Sequence, residues 1–513
     1  MEESSRISRS IKNIRVSLIY LGISVGLQFI SRRVFIDRLG VDILGLNSTA
    51  LNMLQFLNLA ELGVGVAVGY ALYGPLQRGD KQTVAEIVAV QGHIYRRVAA
   101  VIIIAAAALS AFFPLIFKDM GLPLWYAYAS FGVLLVSALL SYFVNYKQIV
   151  LSADQREYDI KTSYMTLYFI KVAAQIVAVG LLAQPYLWWL GLEVAGSIGA
   201  AVALDRRVKK VYPYLKEKQH AGADLLKKYS RIVSDTKKLF VHRIATYVVL
   251  QSSPLVIYAC LSLAMVTLYG NYMIIVTGLM ALMDASFNGM QAGVGKLVAE
   301  DNREQAWKVF GELFTFRFFC STVTAVAMWL LMTPLVTLWL GKEYILDNTA
   351  VALITAIYFI GTLRSVVDSY KLAHGLFADV WAPVIEATLN LGLSILLGLH
   401  YGLPGILSGV LISLIIIVCC WQPYYVFSRG LKRPTGHYWW LLARHLAAAV
   451  IAAGTLQGIV SLLNINPAAS VGSFILYALA TCAPFTLILA GSLLFLTPGA
   501  TMLVDRLKVL IKK

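Results

Sequence analysis

One feature restricts this 513-residue chain more than any other. Apolar runs long enough to cross a bilayer follow one another, separated by short gaps rich in lysine and arginine. A spanning helix needs about 20 apolar residues. Hydrocarbon offers no partner to backbone N–H and C=O groups, so runs of this length must close their own hydrogen bonds as helices. Hydrophobic residues make up 59% of the chain and charged residues 14%, against roughly half and a quarter in soluble domains. The expected fold class is all-α: a polytopic membrane protein of about fourteen spans. Their approximate ranges are 16–38, 46–74, 92–117, 124–146, 160–183, 186–204, 244–268, 271–298, 307–338, 350–373, 383–400, 404–427, 443–463 and 470–496. Gln184-Pro185 and Gly402-Leu403-Pro404 read as tight turns between antiparallel neighbours.

The net charge of +16 would suggest nucleic acid in a soluble chain. Here the cations lie between apolar runs, which points to cytoplasmic loops and to no nucleic-acid partner. With the N-terminus inside, all but six of the 43 lysines and arginines fall before span one, in or beside the even-numbered connections, or after span fourteen. The six are Arg32, Arg33, Arg38, Lys118, Lys171 and Lys342. This bias puts both termini in the cytoplasm. The first apolar segment carries Arg32 and Arg33 and has no small-residue cleavage site, so it reads as a retained span. The five cysteines sit in apolar runs without CxxC or Cys/His spacing, so neither a disulfide framework nor a metal site is expected.

The longest polar stretch, 205–243, carries LLKKYSRIVSDTKKLF, with Leu225, Leu226, Tyr229, Ile232, Val233 and Leu239 at near-helical spacing. It reads as a basic linker with an interfacial helix. It separates an N-terminal lobe (1–204, spans one to six) from a C-terminal lobe (244–428, spans seven to twelve). Two further spans and a basic tail occupy 429–513. The lobes look duplicated. An offset of 224 residues puts Asn47 on Asn271, Gly65 on Gly289, Gly69 on Gly293, and Tyr146-Lys147 on Tyr370-Lys371. An even helix number makes such a repeat parallel, and parallel repeats favour a central site with alternating access.

No nucleophile elbow, P-loop or dinucleotide fingerprint occurs, so a transporter is expected rather than an enzyme. GVGVAVG at 63–69 lies inside an apolar run and reads as a helix-packing surface before a phosphate cradle. Ionisable residues within spans cost free energy and usually face a cavity or a partner. Four cations are candidates for a substrate cavity: Arg32, Arg33, Lys171 and Arg364. Each has a plainer reading. Arg32 and Arg33 can snorkel to the outer interface, with Arg33 paired to Asp37 one turn on. Lys171 can pair between helices with Glu193, and Arg364 within its helix with Asp368. The intramembrane acids are Glu61, Glu193, Asp284 and Glu386; Glu61, Asp284 and Glu193 are the coupling candidates. A buried carboxylate can carry a coupling ion, H+ or Na+, or can simply bond between helices. The aromatics of WYAYAS (125–130) and YLWWL (186–190) fit interfacial belts. Several cations in one cavity suit a phosphate or pyrophosphate, because guanidinium binds phosphate oxygens through a planar fork. Carboxylates alone would suit a cationic drug.

The segment RRVFIDRLGVDILGLNSTALNMLQFLNLAELGVGVAVGYALYGPLQRGDK resembles the N-terminal signature of Wzx-type oligosaccharide flippases. These belong to the superfamily of multidrug, oligosaccharidyl-lipid and polysaccharide exporters. SYFVNYKQIVLSADQREY, LYGNYMIIV, GVGKLVAEDNREQAWKVF, LWLGKEYIL and ATLNLGLSILLGLHYGLPGILSGVLISL continue the resemblance over roughly residues 10 to 430. It implies two six-helix lobes around a cationic cavity. It implies flipping of an undecaprenyl-pyrophosphate-linked sugar repeat from the cytoplasmic to the periplasmic leaflet of the bacterial inner membrane. The process served is O-antigen, capsule or exopolysaccharide biosynthesis. Implied partners are the lipid-linked oligosaccharide, membrane lipids, and a polysaccharide polymerase with glycosyltransferases; no cofactor is implied. The alternative on the same fold is a MATE-like cation-coupled drug antiporter. Cavity residues vary within the resembled family, so the four cations rest on position and chemistry alone.

Overall fold

The computed structural model describes residues 2–58, 64–118, 120–154, 156–215, 223–230, 252–299, 302–376 and 378–511. Most of the described residues are helical, with no strand among them. Eleven of the helices are long and apolar enough to cross a membrane. This is an all-α polytopic membrane protein. The count differs from fourteen for three local reasons. The expected second span is two helices on either side of 59–63, and those five residues lie outside the described set. Most of the expected seventh span does too. The eleventh and twelfth run on as one helical stretch, Trp381–Leu431, that bends back on itself at Gly402.

Contacts divide the chain into two compact units, 1–267 and 268–513. In the first, α1 (Glu2–Leu39) ends at Gly40, whose φ of 82° only glycine adopts without strain. Then follow α2 (Val41–Leu57), α3 (Val64–Arg78), α4 (Lys81–Ala111) and α5 (Trp125–Phe143). The unit continues with α6 (Glu157–Leu181) and α7 (Pro185–Val211). Asp80 caps α4 by accepting from the Thr83 N–H. α6 and α7 form a hairpin in which Gln184 takes the left-handed conformation and Pro185 opens the next helix. Proline at that first position loses no helical hydrogen bond. α1 lies along α6, joined by Tyr20 to Thr166 at 2.6 Å and Lys161 to Ser17 at 2.6 Å. α2 meets α5 where Ser130 donates to Asn47 at 2.6 Å. The glycine-rich run is helical from Val64, and Gly69 faces Ile149 with room for a Cβ 3.8 Å from its Cδ1. The short helix α8 (Ser253–Cys260) packs on α2, and Tyr258 donates to the Ile116 carbonyl at 2.7 Å.

α9 (Leu263–Ala299) runs from the end of the first unit into the second. There follow α10 (Arg303–Trp339), α11 (Asn348–Ala373), α12 (381–401) and α13 (403–431). α14 (Gly436–Leu462), α15 (Val471–Leu496) and α16 (Pro498–Ile511) complete it. Lipid tails are as apolar as leucine, so packing and polar contacts hold helices together in a bilayer. Small residues provide the packing here. A Cβ at Gly405 would lie 2.1 Å from the Leu397 carbonyl oxygen, and one at Gly409 2.4 Å from the Ser394 nitrogen. The α12–α13 hairpin therefore closes only over glycine at both places. In the core of the unit, Phe310, Phe314, Tyr370, Phe427 and Tyr438 meet edge to face, and Phe318 stacks on Phe314.

Candidate functional site

Each unit contains its own buried ionic cluster. In the first, Lys171 projects from the middle of α6 and Glu193 from the third turn of α7. The hairpin at Gln184-Pro185 brings them level. Lys171 Nζ donates to Glu193 Oε1 at 2.8 Å, and the side chains are 6% and 12% exposed. Gln175 donates to the other carboxylate oxygen at 3.0 Å, and Ser197 lies 3.4 Å from Oε1. The Lys171 ammonium also sits over the Tyr168 ring, 4.6 Å from its centroid. The lysine stem passes across Gly196, where a Cβ would come within 2.3 Å of Lys171 Cγ. The cluster is thus a neutral pair with its carboxylate satisfied from three sides.

Arg32 and Arg33 take separate places. Arg32 donates to the Thr267 carbonyl at 2.8 Å, while the Thr267 hydroxyl donates to the Val41 carbonyl at 2.7 Å. Arg33 pairs with Asp37 at 2.9 Å, with both side chains about half exposed. A helical ion pair this open is worth ~0–1 kcal/mol. Glu61 lies outside the described residues.

In the second unit Arg364 stands between two acids. It donates to Asp368 at 2.9 Å within α11 and lies 3.5 Å from Glu386 of α12. Further along α11, Lys371 donates to Asp379 at 2.7 Å, and the Trp421 indole donates to the same carboxylate at 3.2 Å. Asp284, on α9, is 60% exposed along its side chain and lies 3.3 Å from Arg317.

Arg317 is the functional candidate that sequence reasoning missed. Counting charge segment by segment groups it with the cations of the loop before α10. It lies instead well inside that helix and is 2% exposed. Its Nε donates to the Thr362 carbonyl and its Nη1 to the Met283 carbonyl, each at 2.7 Å, and its plane faces Phe287 at 5.1 Å. One guanidinium therefore ties α9, α10 and α11 together. The signal was present in FTFRFFCSTV, an arginine with apolar residues on both sides.

Charge also gathers at the helix ends near the linker. Asp159 receives Arg156 at 2.8 Å and Arg207 at 2.5 Å, and Tyr212 donates to Asp154 at 2.8 Å. Lys228 and Tyr229, from the basic linker, both reach Glu86. Hydrogen bonding to that carboxylate raises the Lys228 ammonium above the usual lysine value. The rest of the expected interfacial helix lies outside the described residues. Among the described residues, no group of three or more His, Cys, Asp or Glu side chains converges as metal ligands do.

A helical chain with charged pairs held between its spans defines a class, the polytopic helical membrane bundle. The solved structures it resembles narrow the fold. The lipid II flippase MurJ, in an inward closed conformation, matches with a TM-score of 0.64 at 15% identity, over 94% of this chain and 98% of that one. A multidrug resistance MATE family transporter of the MOP superfamily, inward-facing, matches at 0.57 and 12% identity, over 80% and 95%. The Vibrio cholerae MATE transporter VcmN, solved as a point mutant, matches at 0.53 and 14%, over 84% and 98%. The chain has the MOP-type fold. No family model matches the chain, and no curated protein matches it in sequence.

Proposed function

We propose that this protein is a flippase for a lipid-linked oligosaccharide, carrying an undecaprenyl-pyrophosphate-linked repeat from the cytoplasmic to the periplasmic leaflet by alternating access. The observation that carries this reading is the extent of the structural likeness. Residues 1–428 make up about five-sixths of the chain, so a match over 94% must draw on 429–513 as well. The protein matched that far is named a lipid flippase. The MATE structures cover less of the chain, 80% and 84%.

An anionic substrate would be held in the second unit by Arg364 and Lys371, which lie along the same helix and are now engaged by Asp368, Glu386 and Asp379. The pyrophosphate would compete with Asp368 and Glu386 for Arg364, and the fork of the guanidinium suits it for that exchange. Asp284 is the exposed carboxylate best placed to take up a coupling ion, because a proton or Na+ there would weaken its hold on Arg317. The basic loops favour cytoplasmic termini, and the resemblance to Wzx-type flippases implies the bacterial inner membrane. The substrate would come from glycosyltransferases and pass to a polysaccharide polymerase.

The drug-antiporter reading has one observation in its favour: Lys171 and Arg364 already hold carboxylates, leaving less free positive charge. Ligand-dependent stabilisation separates the two readings. A flippase is stabilised against heat by undecaprenyl-pyrophosphate sugars and not by cationic drugs. The opposite ranking rejects the proposal.

A further inference from the structure

At one end of the second unit, α10, α14 and α16 line an open cavity of about 460 Å³ that the transport reading does not use. Its lining includes Trp307, Trp440, Leu441 and Met502, together with the cations Lys308 and Arg444. The floor exists because α16 approaches α10 with no side chain between them. A Cβ at Gly499 would lie 2.4 Å from Thr315 Oγ1 and 2.6 Å from the Gly311 carbonyl oxygen. Trp440 is 68% exposed.

The two cations are the informative part. Every cation placed in the clusters above has an acidic or carbonyl partner. Among the described residues Lys308 and Arg444 have no ion pair, although Arg433 nearby pairs with Glu304. Two unneutralised cations over an apolar slot with indole walls form a complement to one kind of molecule. It carries a negative headgroup at the membrane boundary and hydrocarbon below it. A soluble anion would leave the apolar walls wet. A neutral lipid would leave both cations unmatched. We propose that this cavity is a specific site for one acidic phospholipid. The phosphate lies on Lys308 and Arg444, and an acyl chain runs along Trp440, Leu441 and Met502. On the orientation proposed above, the lipid comes from the inner leaflet. The lipid would hold α16 and α14 against α10, so this is a site for a resident lipid, separate from the transported substrate.

The test uses the full-length protein in nanodiscs of phosphatidylcholine containing a minor share of phosphatidylglycerol, read by native mass spectrometry. One phosphatidylglycerol retained per protein is expected. K308A/R444A is expected to weaken retention roughly twenty-five-fold, at about a factor of five for each cation near the surface. K342A, at another connection, is expected to leave it unchanged. Equal retention of phosphatidylcholine overturns the proposal, as does retention unaffected by the double variant. Soluble glycerol phosphate displacing the lipid also overturns it, since the site would then read the anion alone. Should the double variant not fold, the wild-type protein still decides. Bromine-labelled phosphatidylglycerol must quench indole fluorescence more than bromine-labelled phosphatidylcholine does, and W440F must remove the difference. Equal quenching by the two lipids rejects the site.

Discussion

Lys171 and Glu193, twenty-two positions apart, meet at 2.8 Å across the α6–α7 hairpin, and neither side chain is more than 12% exposed. A charge buried this way is stabilised only by its partner. Removing one member of such a pair costs about 3–5 kcal/mol, while replacing both with apolar residues of similar volume is often close to neutral. K171M and E193L singly are therefore expected to lower the thermal midpoint in detergent more than K171M/E193L does. If the double variant is as unstable as the sum of the singles, the two residues are not acting as a pair.

Gly196 offers a subtler probe of the same contact. Alanine there forces the Lys171 stem aside, because its Cβ would come within 2.3 Å of Cγ. G196A is expected to destabilise by about 1–3 kcal/mol. In a K171M background, with the stem repacked, much of that loss should disappear. An equal loss in both backgrounds would show that another neighbour sets the limit.

Arg317 and Asp284 are expected to behave unequally although they touch. Arg317 is buried and holds two backbone carbonyls. R317K keeps the charge but loses the fork, which predicts a loss of about 3 kcal/mol or more. Asp284 is mostly exposed, so D284N is expected to cost only ~0–1 kcal/mol. A large effect of D284N on stability would place the carboxylate inside the structural brace rather than at its open edge.

The cap of α4 predicts a pH dependence. Hydrogen bonds from Thr83 hold the Asp80 carboxyl below the ordinary aspartate value of about 3.9. A group depressed in the folded state contributes stability that is present above its unfolded value and lost as pH falls through the folded one. The difference in thermal midpoint between wild type and D80A is thus expected to be constant from about pH 5 to 8 and to shrink below about pH 4. A difference that persists unchanged at pH 3 would mean the protonated side chain caps equally well.

The helices were legible because the bilayer requirement is written in run length alone, and the turns at Gln184-Pro185 and Gly402 because proline and glycine mark them locally. The site was legible only in part. Pairs one turn apart, Arg33–Asp37 and Arg364–Asp368, follow from helical spacing. Lys171–Glu193 could be named as one option among others, but its distance depends on the register of two helices. The approach of Glu386 to Arg364 depends on how α12 packs on α11, and no local pattern encodes it. Arg317 was misplaced because assigning cations segment by segment favours loops, and even a cation well inside a span is drawn into the neighbouring count.

Translocation itself tests the central claim most directly. The purified protein, reconstituted in proteoliposomes with an imposed ion gradient or membrane potential, is given a defined undecaprenyl-pyrophosphate oligosaccharide in one leaflet. The account predicts protein-dependent appearance of the sugar on the other face, abolished by R364Q in a protein that still folds. Equal rates in wild type and R364Q would remove Arg364 from the substrate path. No translocation above protein-free vesicles, together with gradient-driven movement of a cationic drug, would contradict the account itself.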